Sequence, residues 1–190
     1  ADTTDGFSVI TYTGRNDQIS DGEETRVTHG LSTTPELFII KNLAAASWCV
    51  VWTGDSSLGH DSHFVLNTTA ARSGALYTGD FRDTTTTYFP VGNDDLINAA
   101  AAEFICYAFH EVAGVSKFGS YTGNGNAEGP FVWCGFRPTI IIVKRTDSTS
   151  DWTIKDTARD TYNVVTNALI VDATNTEYTA TWVYVDFLSN

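Results

Sequence analysis

The chain has 190 residues, 42% of them hydrophobic, so it is long enough for one large β domain or two small ones with a core. Its net charge of −12 repels phosphate, which argues against nucleic acid and anionic membranes as partners. Only 18% of the residues are charged, and Thr, Ser, Asn and Gly fill the difference, which favours an extracellular or virion location. No apolar run approaches the roughly 18 to 20 residues that span a bilayer, so we expect no membrane insertion.

The dominant pattern along the chain is β. Short segments rich in Val, Ile, Thr and aromatic residues alternate with clusters of Gly, Asn, Asp, Ser and Pro. We predict strands over residues 7–13, 25–28, 36–41, 48–53, 63–66, 86–90, 103–111, 117–122, 131–134, 139–145, 152–156, 167–171 and 181–188. At most a turn or two of helix is predicted, within residues 94–103, where Asn93 can cap the start and a run of alanines follows. The sequence therefore predicts an all-β protein.

A second pattern is an internal repeat of about 105 residues. A Tyr-Thr-Gly turn, a glycine turn, a proline-led apolar strand and a tryptophan strand recur in one order. They occur at Tyr12 and Tyr121, at Gly30 and Gly135, at Pro35 and Pro138, and at Trp48 and Trp152. We divide the chain into a flexible lead (residues 1–6), a first β repeat (7–115) and a second, incomplete β repeat (116–190), with one merged sandwich as the alternative.

The second repeat stops before a counterpart of residues 104–109. A sandwich that lacks a strand leaves an open edge and an uncovered apolar surface. Three arrangements would close it. The repeats could share one sheet, the chain could continue past Asn190, or a neighbouring subunit could supply the strand by β-augmentation.

The amino-terminal segment is the candidate donor of such a strand. A polar lead precedes the β-prone residues 7–13, and the assembly contacts would be Phe7, Val9, Ile10 and Tyr12. The alternative is that residues 7–13 form the first strand of their own sheet. If residues 7–13 are donated to a neighbouring subunit, we expect the chain to polymerise through its strand edges.

The cysteine count is odd. Cys49, Cys106 and Cys134 each lie in an apolar, strand-like segment, where a thiol behaves as a small hydrophobic group. We expect buried free thiols, and one disulfide with one remaining thiol is the alternative.

Motifs for nucleotide, metal or catalytic chemistry are weak. The glycine-rich residues 123–129 lack the Gly-Lys-Ser/Thr of a phosphate loop. Residues 60–63 could offer two imidazoles and a carboxylate to zinc, but no second pair has matching spacing, and a polar loop explains them. There is no Gly-x-Ser-x-Gly elbow. Glu103 and Glu111 would lie about 26 Å apart along one strand, too far for a glycosidase pair. We expect no enzyme, cofactor or metal.

Carbohydrate binding is the rival function. Trp52, Trp133, Trp182 and Tyr184 stand on a neutral background rich in Asn and Thr, and exposed aromatic faces bind sugars, although the same rings could fill the core. Trp133 and Trp182 are the candidate glycan contacts. Asn67 begins an Asn-Thr-Thr sequon and is the candidate glycosylation site.

A family resemblance extends over several segments, which are residues 107–125, 129–132, 135–147, 151–159, 162–163 and 186–190, with His29-Gly30-Leu31 and Pro35 in the first half. They resemble an uncharacterised β-rich domain of structural proteins of tailed phages, especially marine and cyanobacterial ones. Residues 55–87 match it poorly, and family members tend to continue past the last of these segments. The resemblance implies a virion or appendage component with a jelly-roll-like sandwich and no catalytic residues. Similar jelly-roll subunits build extracellular filaments.

Together these observations predict a jelly-roll-like β-sandwich built from two related half-repeats. The expected function is that of a structural assembly subunit in a phage virion, tail appendage or extracellular filament. Its main partners would be copies of itself, with glycans as partners in the rival interpretation.

Overall fold

The computed structural model describes residues 1–2, 4, 6–16, 25–46, 48–53, 62–74, 81–179 and 184–189, apart from the side chain of residue 82. The chain divides into two compact units. Unit 1 comprises Ala1–Val65 and Arg72–Gly119, and unit 2 comprises Leu66–Ala71 and Ser120–Asn190. The regular secondary structure of both units is almost entirely antiparallel strand, which confirms the all-β prediction. The jelly-roll arrangement stays a prediction.

Unit 1 holds a five-stranded sheet. In chain order its strands are β1 (Phe7–Thr13), β2 (Thr25–Thr28), β3 (Leu37–Asn42), β4 (Trp48–Trp52), β5 (His63–Val65), β6 (Tyr88–Val91) and β7 (Glu103–Phe109). The sheet has the order β1-β7-β3-β4-β5, while β2 and β6 pair separately. Most of these strands were predicted within two residues of their ends, because their alternation of apolar and polar residues is a local property.

The core of unit 1 lies on one face of this sheet. Phe38 on β3 and Phe104 on β7 are fully buried, and so is Phe89 on the opposing strand β6. The rings of Phe38 and Phe89 pack with centroids 4.9 Å apart. Each such side chain contributes roughly 1.5–3 kcal/mol by leaving water.

The helix is one turn long, which agrees with the turn or two predicted within residues 94–103. Helix α1 spans Asp95–Asn98, and its N-cap is Asp94, whose carboxylate accepts from the Leu96 amide at 2.8 Å, so the cap predicted at Asn93 is wrong by one residue. The alanines that follow do not extend it, because Ala101 donates its amide to the Gly14 carbonyl at 2.9 Å instead. None of the helices in the described ranges has the length and apolar character needed to cross a membrane.

Unit 2 holds a smaller sheet. Its strands are β8 (Ile140–Lys144), β9 (Trp152–Asp156), β10 (Asn167–Ile170) and β11 (Tyr178–Thr179), in the order β11-β10-β9-β8. The strands predicted at residues 117–122 and 131–134 are wrong, since both segments are irregular. Of the strand predicted at 181–188, residues 181–183 lie outside the described part, and Val185 forms an isolated bridge with Val165.

A lysine side chain is buried within unit 2. Lys155 is only 1% exposed, and its ammonium donates to the carbonyls of Val165 and Thr166 at 3.3 and 3.0 Å. Burial lowers the pKa of Lys155, and the carboxylate of Asp160 opposes this shift. Asp160 itself accepts from the amides of Thr166 and Asn167, so it fixes the turn that receives the lysine.

Two turns, one in each repeat, depend on a glycine with a left-handed backbone. Gly30 has φ +73° and Gly135 has φ +81°, a region that side chains disfavour. In unit 1 this turn buries His29. The Nδ1 atom of His29 accepts from the Leu31 amide at 3.1 Å, so Nε2 carries the proton and donates to the Thr85 carbonyl at 3.1 Å. Both nitrogens are therefore satisfied only by the neutral ring.

We expect Gly14→Ala to destabilise unit 1 by about 2–3 kcal/mol. A methyl group at Gly14 would stand 2.2 Å from the Ala99 carbonyl oxygen, and a backbone atom cannot easily move away. Gly123→Ala is the matched control, because Gly123 holds the same place in the repeat and has open space around it. Denaturant unfolding, with hydrogen exchange of the β1 and β7 amides, measures both. Equal costs for the two variants would contradict the packing difference.

We expect acid to weaken unit 1 through His29. Burial lowers the pKa of His29 in the folded chain below its ordinary value near 6.5. As pH falls through 6.5, the unfolded chain takes up this proton first, so the stability present above pH 6.5 declines until the lowered folded pKa is reached.

The test compares the wild type with His29→Asn, whose amide oxygen can still accept from Leu31. The variant is less stable at pH 7.5 because it loses the bond to Thr85, and the gap should narrow on acidification. His63, whose pKa burial also lowers, is present in both proteins and cancels. A gap that stays constant between pH 7.5 and 5 would rule out this role of His29.

Candidate functional site

The repeated sequence folds into the same ladder in both units. Lys41 faces Trp48 across the hairpin of β3 and β4, and Lys144 faces Trp152 across the hairpin of β8 and β9. The next strands, β5 and β10, also pair at equivalent positions. Three strands of one unit can therefore be compared residue by residue with three strands of the other.

Each ladder has a lysine at the equivalent position, Lys41 or Lys144, that donates hydrogen bonds to loop carbonyls. The Lys41 ammonium donates to the carbonyls of Asn42 and Ala45. The Lys144 ammonium donates to the carbonyls of Thr69 and Ser150, at 3.1 and 2.6 Å. The Lys144 ammonium is therefore hydrogen-bonded to loop carbonyls of unit 2, and burial lowers the pKa of Lys144.

The two ladders differ at the outer edge of the first strand. In unit 1 the Leu43 amide donates to the Glu103 carbonyl at 2.9 Å, and this places the backbone groups of Leu37, Ile39 and Lys41 against β7. Strand β3 is therefore an interior strand, covered on both edges.

In unit 2 no strand of the described residues covers the equivalent edge. The Thr157 amide donates to the Thr139 carbonyl at 3.0 Å, so the alternation of an antiparallel pair turns the backbone groups of Ile140 and Ile142 away from β9. No described residue forms a strand beside them, and β8 is the last strand of its sheet. An unpaired edge of this kind is a template for another β-strand.

The side chains of β8 are also less covered than those of β3. Ile140 and Ile142 are each 56% exposed, whereas Leu37 and Ile39 at the equivalent positions are half-buried. On the opposite face of β3, Phe38 and Ile40 are fully buried, but their counterparts on β8 are only half-buried. The continuous apolar run of β8, from Ile140 to Val143, is therefore typical of an interior strand, although β8 lies at the edge of its sheet.

The proposed assembly residues lie on β1, which pairs with β7 of its own unit from Phe7 to Thr13. This is the alternative in which residues 7–13 form a strand of their own sheet. Ile10 packs against the core, and Tyr12 stacks on Phe104 and donates its hydroxyl to the Ile97 carbonyl at 2.5 Å. These two side chains face the core of unit 1, because strand alternation turns them inward. Phe7 and Val9 remain on the outward face, with Val9 49% exposed.

Trp133, one of the two predicted glycan contacts, is exposed. Its ring is 62% exposed and lies beside Phe131, 65% exposed, with centroids 6.4 Å apart. The other predicted contact, Trp182, lies outside the described residues. Trp152 is buried, as expected for a tryptophan that fills the core.

The remaining predicted positions are placed as follows. Asn67 is exposed in a turn after β5, where a sequon residue is accessible. Cys49 and Cys106 are buried free thiols, and burial raises the pKa of both, while Cys134 is partly exposed and also free. Across the described residues no three His, Cys, Asp or Glu side chains form a group that could hold a metal ion. His60 and Asp61 lie outside the described part.

Sequence reasoning missed Ile140 and Ile142 as the site. A partial signal was available in the repeat, because residues 140–144 align with β3. The alignment does not show whether the outer edge of that strand is covered, since β7, which covers β3 in unit 1, lies far along the chain.

Comparison with known proteins adds one finding. No curated protein and no solved structure was found to match the chain. One family model matches it from residue 1 to residue 190, and its description gives no activity. The chain belongs to the family described as a domain of unknown function, DUF7483.

Proposed function

We propose that this chain is a structural assembly subunit that polymerises by pairing β-strand edges. The observation that supports this is the open edge of β8, with the apolar pattern of an interior strand and the exposed side chains of Ile140 and Ile142. A strand added there would satisfy backbone groups worth about 0.5–1.5 kcal/mol each and cover both isoleucines.

The assembly would be a phage virion, a tail appendage or an extracellular filament. The small fraction of charged residues, 18%, supports this setting. So does the resemblance of residues 107–125 to tailed-phage structural domains. Apolar exposure favours the same role. Ten of the thirteen large hydrophobic side chains that are exposed in the described residues belong to unit 2. The role needs no catalytic step and no cofactor.

We expect Ile142→Lys to weaken self-association at least about tenfold, because a lysine on a strand edge must be desolvated when a second strand pairs there. Sedimentation velocity across a concentration series measures this. Raised ionic strength should strengthen wild-type association by screening the repulsion between chains of net charge −12.

Tyr162→Lys is the matched control. Tyr162 is 84% exposed in the same unit, so this variant adds the same charge and removes more apolar surface away from the strand edge. An equal loss of self-association in both variants would indicate nonspecific association through exposed apolar surface and would contradict edge pairing.

Carbohydrate binding is the second candidate function, and the exposed pair of Phe131 and Trp133 favours it. Aromatic faces of this kind can stack on sugar rings. We expect Trp133→Ala to abolish binding on a saccharide array, with assembly unchanged, if the chain binds glycans. Tyr162→Ala removes another exposed ring and should leave binding intact. An array without signal for the wild type would exclude this function.

A further inference from the structure

We propose that the strand which pairs with β8 is β1 of a second copy, so that chains join head to tail. This inference rests on the proposed function and names the partner of the same edge. It requires that β1 has a free outer edge, that the two edges fit face to face, and that neither carries charges that would prevent pairing.

Among the residues that the structure describes, none pairs with most of the outer edge of β1. The Gly14 amide donates to the Ala102 carbonyl at 2.8 Å, and the His110 amide donates to the Gly6 carbonyl at 3.0 Å. By the alternation of an antiparallel pair, the backbone groups of Val9, Thr11 and Thr13 therefore point away from β7. Among the described residues only Asp2 pairs along this edge, and it occupies the position at Phe7.

The two edges match in length and in face. An antiparallel pairing can set Val9, Thr11 and Thr13 opposite Lys144, Ile142 and Ile140 without displacing Asp2. It would place the outward face of β1 beside the exposed isoleucines of β8. The other face would join Ile10 and Tyr12 to the half-buried Ile141 and Val143, so each face of the extended sheet stays continuous.

Neither edge carries the charges that normally prevent such pairing. Strand β1 contains no charged residue, and the single charged side chain of β8, Lys144, is held by the carbonyls of Thr69 and Ser150. The far edges of the two larger sheets are poorer partners. Ser73 bridges to His63 at the edge of β5, and β11 has only two residues.

Pairing of β1 with β8 has a consequence for the form of the assembly. The two edges are different surfaces of one chain, so each subunit that joins leaves one free edge of each kind. Such a heterologous contact does not close on itself unless the rotation between subunits makes a ring, and it otherwise produces an open filament.

A complementation experiment tests the inference. Val9→Lys blocks the β1 edge and leaves β8 intact, while Ile142→Lys blocks the β8 edge and leaves β1 intact. We expect each variant alone to be monomeric and an equimolar mixture to form a heterodimer and nothing larger, measured by light scattering after size exclusion. Reducing conditions are needed because Cys134 is partly exposed.

Thr11→Lys provides a second block on the β1 edge, since Thr11 is exposed and its backbone faces outward. Hydrogen exchange of the ladder between β1 and β7 identifies any variant that misfolds, and only variants with a protected ladder are compared. Both β1 variants should behave alike.

The outcomes separate this inference from the proposed function. If Val9→Lys and Thr11→Lys assemble like the wild type while Ile142→Lys does not, β1 is not the partner, and the inference fails alone. A dimer that resists the β1 variants would identify pairing of β8 with β8. If Ile142→Lys assembles like the wild type, or the wild type stays monomeric at every concentration, edge pairing at β8 fails and both proposals fall.

Discussion

The backbone ladder between β3 and β7 is the interaction on which the rest of unit 1 depends. It joins residues 72 positions apart, Leu37 with Phe109, and so closes the chain around the core. Once β7 is in place, β1 pairs on its far edge, and Tyr12 reaches Phe104 and the end of helix α1. The same ladder turns β3 into an interior strand whose apolar face can be buried.

Unit 2 shows what the same sequence pattern does without that ladder. Strands β8, β9 and β10 reproduce the register of the first repeat, because hairpin pairing needs only neighbouring segments. Residues 117–122, the counterpart of β1, stay irregular, since β1 pairs only with β7 and no described strand plays that part in unit 2. Lys155 occupies the place of the buried Val51 and uses carbonyls of its own unit in compensation. The exposure of Ile140 and Ile142 agrees with the position of β8 at the edge of its sheet.

Sequence reasoning was most accurate where the physics is local. Residues 7–13, 25–28 and 152–156 were predicted with the bounds that the structure has, because their alternation fits one strand face. The single turn of α1 agrees with the predicted turn or two, and the helix ends before Ala101, whose amide donates to the Gly14 carbonyl. Sequence reasoning failed at residues 131–134, since an aromatic segment forms a strand only where a partner strand is available.

The sequence alone determined the β character of this protein, its repeated unit, and the polar, acidic surface of the chain. Each of these depends on composition or on residues close together along the backbone. Only the tertiary structure decided which strand edges are covered, that Ile10 and Tyr12 face the core, and that Ile140 and Ile142 face solvent. The reason is that a strand forms from its own alternation, whereas coverage of its edge depends on a partner that lies far away in the chain or in another molecule.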